Sequence, residues 1–179
     1  MQHLLPLVIA LLIIGLAFTV IRWPGGMHMT FSQHAVATRW SKMYYSALFL
    51  VTLPLLMWFF AGWLVPEKHL PAAFLWFAGV AMLFQILCTF VPEEGGLKTK
   101  MHRVLTGISG VALLPLVVII ASSPSLPAVV NSLAWIGLGS MVVLLGIALK
   151  HQSGFRWALL LQVGYYAVFF VVLLAAAYL

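Results

Sequence analysis

Six apolar stretches, at about 4–21, 43–65, 72–91, 104–121, 128–149 and 157–179, fill most of this chain, and none carries Asp, Glu, Lys, Arg or His. A helix of about 20 such residues crosses roughly 30 Å of hydrocarbon. Breaker-rich segments separate the stretches: Trp23-Pro24-Gly25-Gly26, Val65-Pro66-Glu67, Pro92-Glu93-Glu94-Gly95-Gly96, residues 122–127 and Gln152-Ser153-Gly154. The expectation is an all-α polytopic membrane protein, a single six-helix transmembrane domain over 1–179 with no separate soluble domain. Composition closes off the other classes. With 7% charged residues, against about 25% in soluble domains, the chain cannot cover a water-facing surface. It is too apolar for disorder, and Cys88 alone cannot staple a disulfide scaffold. The first stretch lacks a basic n-region and a small-x-small cleavage site, so it reads as a permanent helix.

Orientation follows from Lys and Arg. Arg22, Arg39, Lys42, Lys98, Lys100, Arg103, Lys150 and Arg156 all fall on one side of a six-span topology, and only Lys68 falls on the other. Short basic loops stay in the cytoplasm, which places both termini outside it and the protein in a cytoplasmic (inner) membrane. Trp23, Trp40, Tyr44 and Trp157 then lie near the inner boundary, and Trp63, Trp76 and Tyr178 near the outer one. The net charge of +6 is explained by topology and by the anionic inner leaflet. Membrane lipids, and not nucleic acid, are the expected partners.

What is missing narrows the chemistry. There is no Asp, and Glu67, Glu93 and Glu94 all lie in loops. Ion-coupled transport ordinarily keeps an ionisable group inside the bundle, and none is present. Asp-rich Mg²⁺ sites, a Ser-His-Asp triad, a His-Glu-x-x-His motif and a P-loop are likewise absent. One cysteine cannot run dithiol exchange.

Four histidines, His28, His34, His102 and His151, fall on the basic side. His34-x-x-x-Thr38-x-x-Ser41 enters the second span and His102-x-x-x-Thr106-x-x-Ser109 enters the fourth, 68 residues later. On a helix each triplet shares one face. Pro24 and Pro92 each lie ten residues upstream of their histidine. Two readings follow: an internal repeat, or Thr and Ser bonding backbone carbonyls with the histidines at headgroup level. Thr30-Phe31-Ser32-Gln33 matches a capping box. A helix running on from Phe31 would exceed the bilayer, so either 31–42 projects or lies along the surface, or Pro54 kinks the span. Zinc would require three or four ligands from His28, His34, His102, His151, Glu93 and Glu94. Headgroup-level histidines are the simpler expectation, and no metal or cofactor is expected.

Within the spans Gln85, Asn131 and Gln162 are expected to point inward, as cavity lining or as interhelical ties. Pro54 and Pro115 can mark a hinge or cavity, and Cys88 reads as a small buried hydrophobe.

The run Phe90-Val91-Pro92-Glu93-Glu94-Gly95-Gly96, followed by Met101-His102-Arg103 and Leu114-Pro115-Leu116, resembles a family of six-helix prokaryotic membrane proteins catalogued as domain of unknown function nine-nine-eight. That family shows a Phe-Pro-acidic-Gly loop after helix three and a histidine opening helix four; Gly154-Phe155-Arg156-Trp157 is also similar. The acid here is Glu in place of the usual Asp, and Val91 precedes the proline. The resemblance implies six helices and a cytoplasmic membrane, and carries no activity.

The leading expectation is binding or movement of a lipid or other amphiphile through an intrabundle cavity with a basic, His-rich rim. His34, His102, Arg103 and Glu93, with His28, Arg39, His151, Thr38 and Thr106 behind them, would hold an anionic headgroup. Gln85, Gln162 and Asn131 would line the cavity. The alternatives are an accessory subunit in a homo-oligomer or larger membrane complex, and a His-dependent enzyme on the inner face. The enzyme requires at least two of the four histidines to converge.

Overall fold

The computed structural model describes residues 1–150 and 155–179. The described residues are helical and carry no strand. In chain order they form α1 (Leu4–Arg22), α2 (Phe31–Ala35), α3 (Arg39–Phe59), a π turn (Phe60–Leu64), α4 (Val65–Glu67), α5 (Ala73–Phe90), α6 (Gly96–Ala121), α7 (Ala128–Lys150) and α8 (Ala158–Tyr178). α3, the π turn and α4 run on as one 29-residue rod, Arg39–Glu67, so six helices are long and apolar enough to cross a membrane. Each rod packs on the next in sequence, α8 returns to α1 to close a ring, and α6 also touches α8. The α8–α1 junction is the loosest in that ring.

Six antiparallel rods give two ends. One gathers both termini with the α4–α5 and α6–α7 connections: Tyr178 OH donates to Gln2 O at 2.6 Å, and Asn131 Nδ2 to Ser123 O at 3.0 Å. The other, the basic end, gathers the α1–α3 and α5–α6 connections with the end of α7 and the start of α8.

Two boundaries differ from expectation. The second span does not run on from Phe31. The Thr30–Gln33 capping box opens α2 as read, but α2 stops after five residues and a second box, Thr38 with Ser41, opens α3. Thr38 is extended at φ −145° and accepts from Ser41 N, while Ser41 Oγ donates to Ala35 O at 2.6 Å and so ties the end of α2 to the start of α3. His34 and Thr38 therefore do not share a helical face. The break takes 31–38 out of the second span, and the 29-residue rod that remains, about 43 Å at about 1.5 Å per residue, is still longer than the hydrocarbon. The fourth span starts eight residues early, at Gly96, because Gly95 (φ 100°) and Gly96 (φ 56°) adopt left-handed conformations that turn the chain directly into helix. At about 1.5 Å per residue its 26 residues reach about 39 Å, so Lys98, Lys100, His102 and Arg103 ride on the first two turns.

Lipid tails are as apolar as leucine, so close packing and interhelical hydrogen bonds must hold the rods together. Gly137 of α7 lies so near α8 that an added Cβ would come within 2.6 Å of Val172 Cγ2. Tyr165 OH of α8 donates to Gly110 O of α6 at 2.6 Å, and Ser109 Oγ of α6 to Ala81 O of α5 at 2.9 Å.

Candidate functional site

The two histidines singled out by their spacing make the same bond. α1 ends at Trp23 and α5 at Val91, and in both the next residue is proline, Pro24 or Pro92. A proline there has no N–H to fold back on the helix end, leaving terminal carbonyls open. His34 Nδ1 donates to Trp23 O at 2.9 Å, and His102 Nδ1 donates to Val91 O at 2.7 Å and to Cys88 O at 3.1 Å. Eleven residues separate histidine and C-cap in each hairpin. Carbonyls only accept, so Nδ1 carries the proton in both rings and Nε2 is the remaining atom. The likeness of the two hairpins lies in this histidine clasp. It does not extend to the Thr–Ser pairs: Thr38 caps α3, whereas Thr106 lies inside α6 with its buried Oγ1 unpartnered.

Beyond the clasp the two histidines part. His34 is 1% exposed, lies against Gly25, and its Nε2 is buried without a partner. His102 lines a cleft of about 380 Å³ that opens at the basic end among α6, α7 and α8. Its polar wall holds His28, Thr30, Ser32, Gln33, Glu93, His102, Arg103, Thr106 and Gln162. The α1–α3 connection is pinned over α8 to form that wall: Phe31 N donates to Gln162 Oε1 at 3.0 Å, and Leu159 N donates to Met27 O at 3.1 Å.

The charged pair sits in this wall. The Glu93 side chain is 7% exposed; Oε1 accepts from Arg103 Nε at 3.2 Å and Oε2 from Ser32 Oγ at 3.4 Å. Holding Arg103 by Nε leaves both terminal guanidinium nitrogens without a partner among the described residues, the edge that binds phosphate or carboxylate bidentately. Arg103, Gly107 and Leu149 are also walls of an apolar groove of about 890 Å³ along the outside of α5 and α6, floored by Val104, Ile108 and Val111 with Lys100 near its basic end. The cleft extends inward too, through Thr106, Leu145 and Gln162, to a 190 Å³ recess at Tyr165 and Tyr166. Beside the cleft, Glu94 is held below the usual carboxylate range by hydrogen bonds first from Lys42 and then from Lys98.

Of the residues named from sequence, His28, Glu93, His102, Arg103, Thr106 and Gln162 meet in the cleft. His34, Thr38 and Arg39 do not: His34 is turned under the α1–α3 connection, Thr38 is spent as an N-cap, and Arg39 is exposed on the first turn of α3. Gln85 lines a separate cavity in the middle of the bundle. Asn131 lines none of these spaces, because its amide donates to Ser123 O across the α6–α7 turn. His151 lies outside the described residues. Among those residues no three His, Cys, Asp or Glu side chains come together as a metal-ligand set. Sequence reasoning passed over Ser32, Lys100, Tyr165 and Tyr166. The tyrosines stand three and four positions beyond Gln162, on its helical face, and that spacing was the available signal.

No family model, curated protein or solved structure matches this chain.

Proposed function

We propose that this protein binds a membrane lipid or similar amphiphile carrying an anionic headgroup, from the leaflet that bathes its basic end. One observation carries the reading: Arg103 is at once a wall of the polar cleft and a wall of the apolar groove. An amphiphile needs both chemistries side by side. Its tail would lie along Val104, Ile108 and Val111. Its phosphate would meet the free edge of Arg103 and Lys100, with His28 and His102 Nε2 alongside. By the excess of Lys and Arg there, the basic end faces the cytoplasm and both termini face away.

Native mass spectrometry of the protein released from nanodiscs containing equal phosphatidylglycerol and phosphatidylcholine tests this. The wild type is expected to retain phosphatidylglycerol selectively, and Arg103→Ala with Lys100→Ala to lose that selectivity by about thirtyfold, at about 1 kcal/mol per basic side chain near an anionic surface. Equal retention of both lipids, or unchanged selectivity in the double variant, refutes it.

A second reading, an accessory subunit or homo-oligomer, draws on α7. That helix is the least buried of the six and exposes Trp135, Ile136 and Val143 beside Gly139 and Gly146. Neither glycine is demanded by packing within the chain, since a Cβ on either would meet nothing. Disulfide trapping at Gly139→Cys in native membranes separates the two: a crosslinked dimer or heteromer favours this reading, and an uncrosslinked chain removes it.

A further inference from the structure

A second polar site lies between the helices, away from the basic end, and shares only Tyr166 with the recess behind the cleft. Gln85 is buried in α5; Tyr166 OH donates to its Oε1 at 3.4 Å, and Ser109 Oγ, which gives its hydrogen to Ala81 O at 2.9 Å, lies 3.5 Å from it. Both separations are long beside the roughly 2.7–2.8 Å usual for hydroxyl donors, so Oε1 is weakly satisfied. The three side chains wall a cavity of about 60 Å³ enclosed by α1, α3, α5, α6 and α8. This cavity adjoins an apolar groove of about 570 Å³ at the α8–α1 junction; Leu12, Leu16, Tyr166 and Phe170 are walls of both. No charged side chain lines either space.

We propose that this is a binding site for an uncharged single-chain alcohol, whose hydroxyl end reaches Gln85, Ser109 and Tyr166 while its tail lies in the α8–α1 groove. Charge decides the class of head. A phosphate or carboxylate here would be desolvated with no cation to meet it, a cost far above that of a hydroxyl. Size decides its bulk. A cavity of about 60 Å³ is well below the ~150 Å³ of a benzene-sized void, so a ring is too large and a hydroxymethyl group fits. Chemistry decides the match, because a ligand hydroxyl can donate to Gln85 Oε1, whose protein donor Tyr166 OH is long at 3.4 Å, and can accept from that Tyr166 OH in turn. Access is lateral, through the ring's loosest junction.

The test is photolabelling of the full chain in nanodiscs with a diazirine-bearing C16 alcohol, sites being read by peptide mass spectrometry. Labelling is expected to concentrate on α1 and α8 around Leu16 and Phe170. It should fall by about tenfold or more with excess hexadecanol, and not with hexadecyl phosphate. Gln85→Leu and Leu16→Trp should each abolish the competable fraction. Leu16→Trp fills the groove without touching the amide, which keeps the test decisive if Gln85→Leu fails to fold. Labelling spread evenly over the lipid-facing helices, or not competed by hexadecanol in the wild type, overturns the proposal and leaves the cavity to water. Arg103→Ala should leave this labelling unchanged, so failure of the headgroup cleft and failure of this site are separable.

Discussion

Substituting His102 with phenylalanine is expected to destabilise the detergent-extracted bundle by about 1–3 kcal/mol, the cost of leaving the Val91 carbonyl without a donor, since Cys88 O keeps its bond from Val91 N. The ring's shape is kept, so lost packing is a small part of the effect. What disappears is the Nδ1–H that Val91 O and Cys88 O share, at a helix end where Pro92 offers no N–H in its place. His34→Phe should cost a similar amount through Trp23 O. Gln at either position keeps an N–H donor and should recover part of the loss. Tryptophan-fluorescence melting of all four variants in one detergent checks this. The two histidines should then separate in lipid retention: His34→Phe leaves it unchanged because His34 lies outside the cleft, and His102→Phe lowers it. Melting at the wild-type temperature for both Phe variants would remove the clasp as a structural device.

The clasp also marks what could be read from the sequence and what could not. The six spans were legible because a bilayer imposes a length and a polarity on each, and these are properties of single stretches. Four of the six spans start within a residue of expectation. The two that moved were set by backbone details that hydropathy does not sense: the N-cap at Thr38, and two consecutive left-handed glycines at 95 and 96. The site was half legible. Glu93, His102, Arg103 and Gln162 stood out because polar groups in or beside an apolar span need a partner. Nothing in spacing alone could tell His34 from His102, since both make the same bond at the same distance along the chain. They differ in what lies on the far side of the ring. For His34 that is the folded-back Trp23–Gly25 connection; for His102 it is a gap between α6 and α8. That difference belongs to the packing of three hairpins, and no stretch of sequence encodes it by itself. Asn131 shows the same limit, because an amide in a span can cap a turn as readily as line a cavity.

Glu93 carries the sharper test of the cleft, because two substitutions there should act in opposite directions. Glu93 is a positioning residue: it holds Arg103 by Nε and thereby sets where the two terminal nitrogens sit. Glu93→Ala removes that hold. It should lower retention of phosphatidylglycerol by about tenfold, because the guanidinium edge is no longer held in one orientation toward the cleft. Glu93→Gln retains an oxygen that can accept from Nε and removes the negative charge. The cleft becomes more positive while Arg103 keeps its orientation, so retention of the anionic lipid should hold or rise, and retention of phosphatidylcholine should not follow it. The double variant Glu93→Ala with Arg103→Ala should bind no worse than Arg103→Ala alone, since Glu93 acts only through the arginine. Additive losses in that double variant would mean that Glu93 meets the ligand itself. A Glu93→Gln protein that loses lipid as fully as Glu93→Ala would mean that the carboxylate's charge, not its grip on Nε, is what the cleft requires.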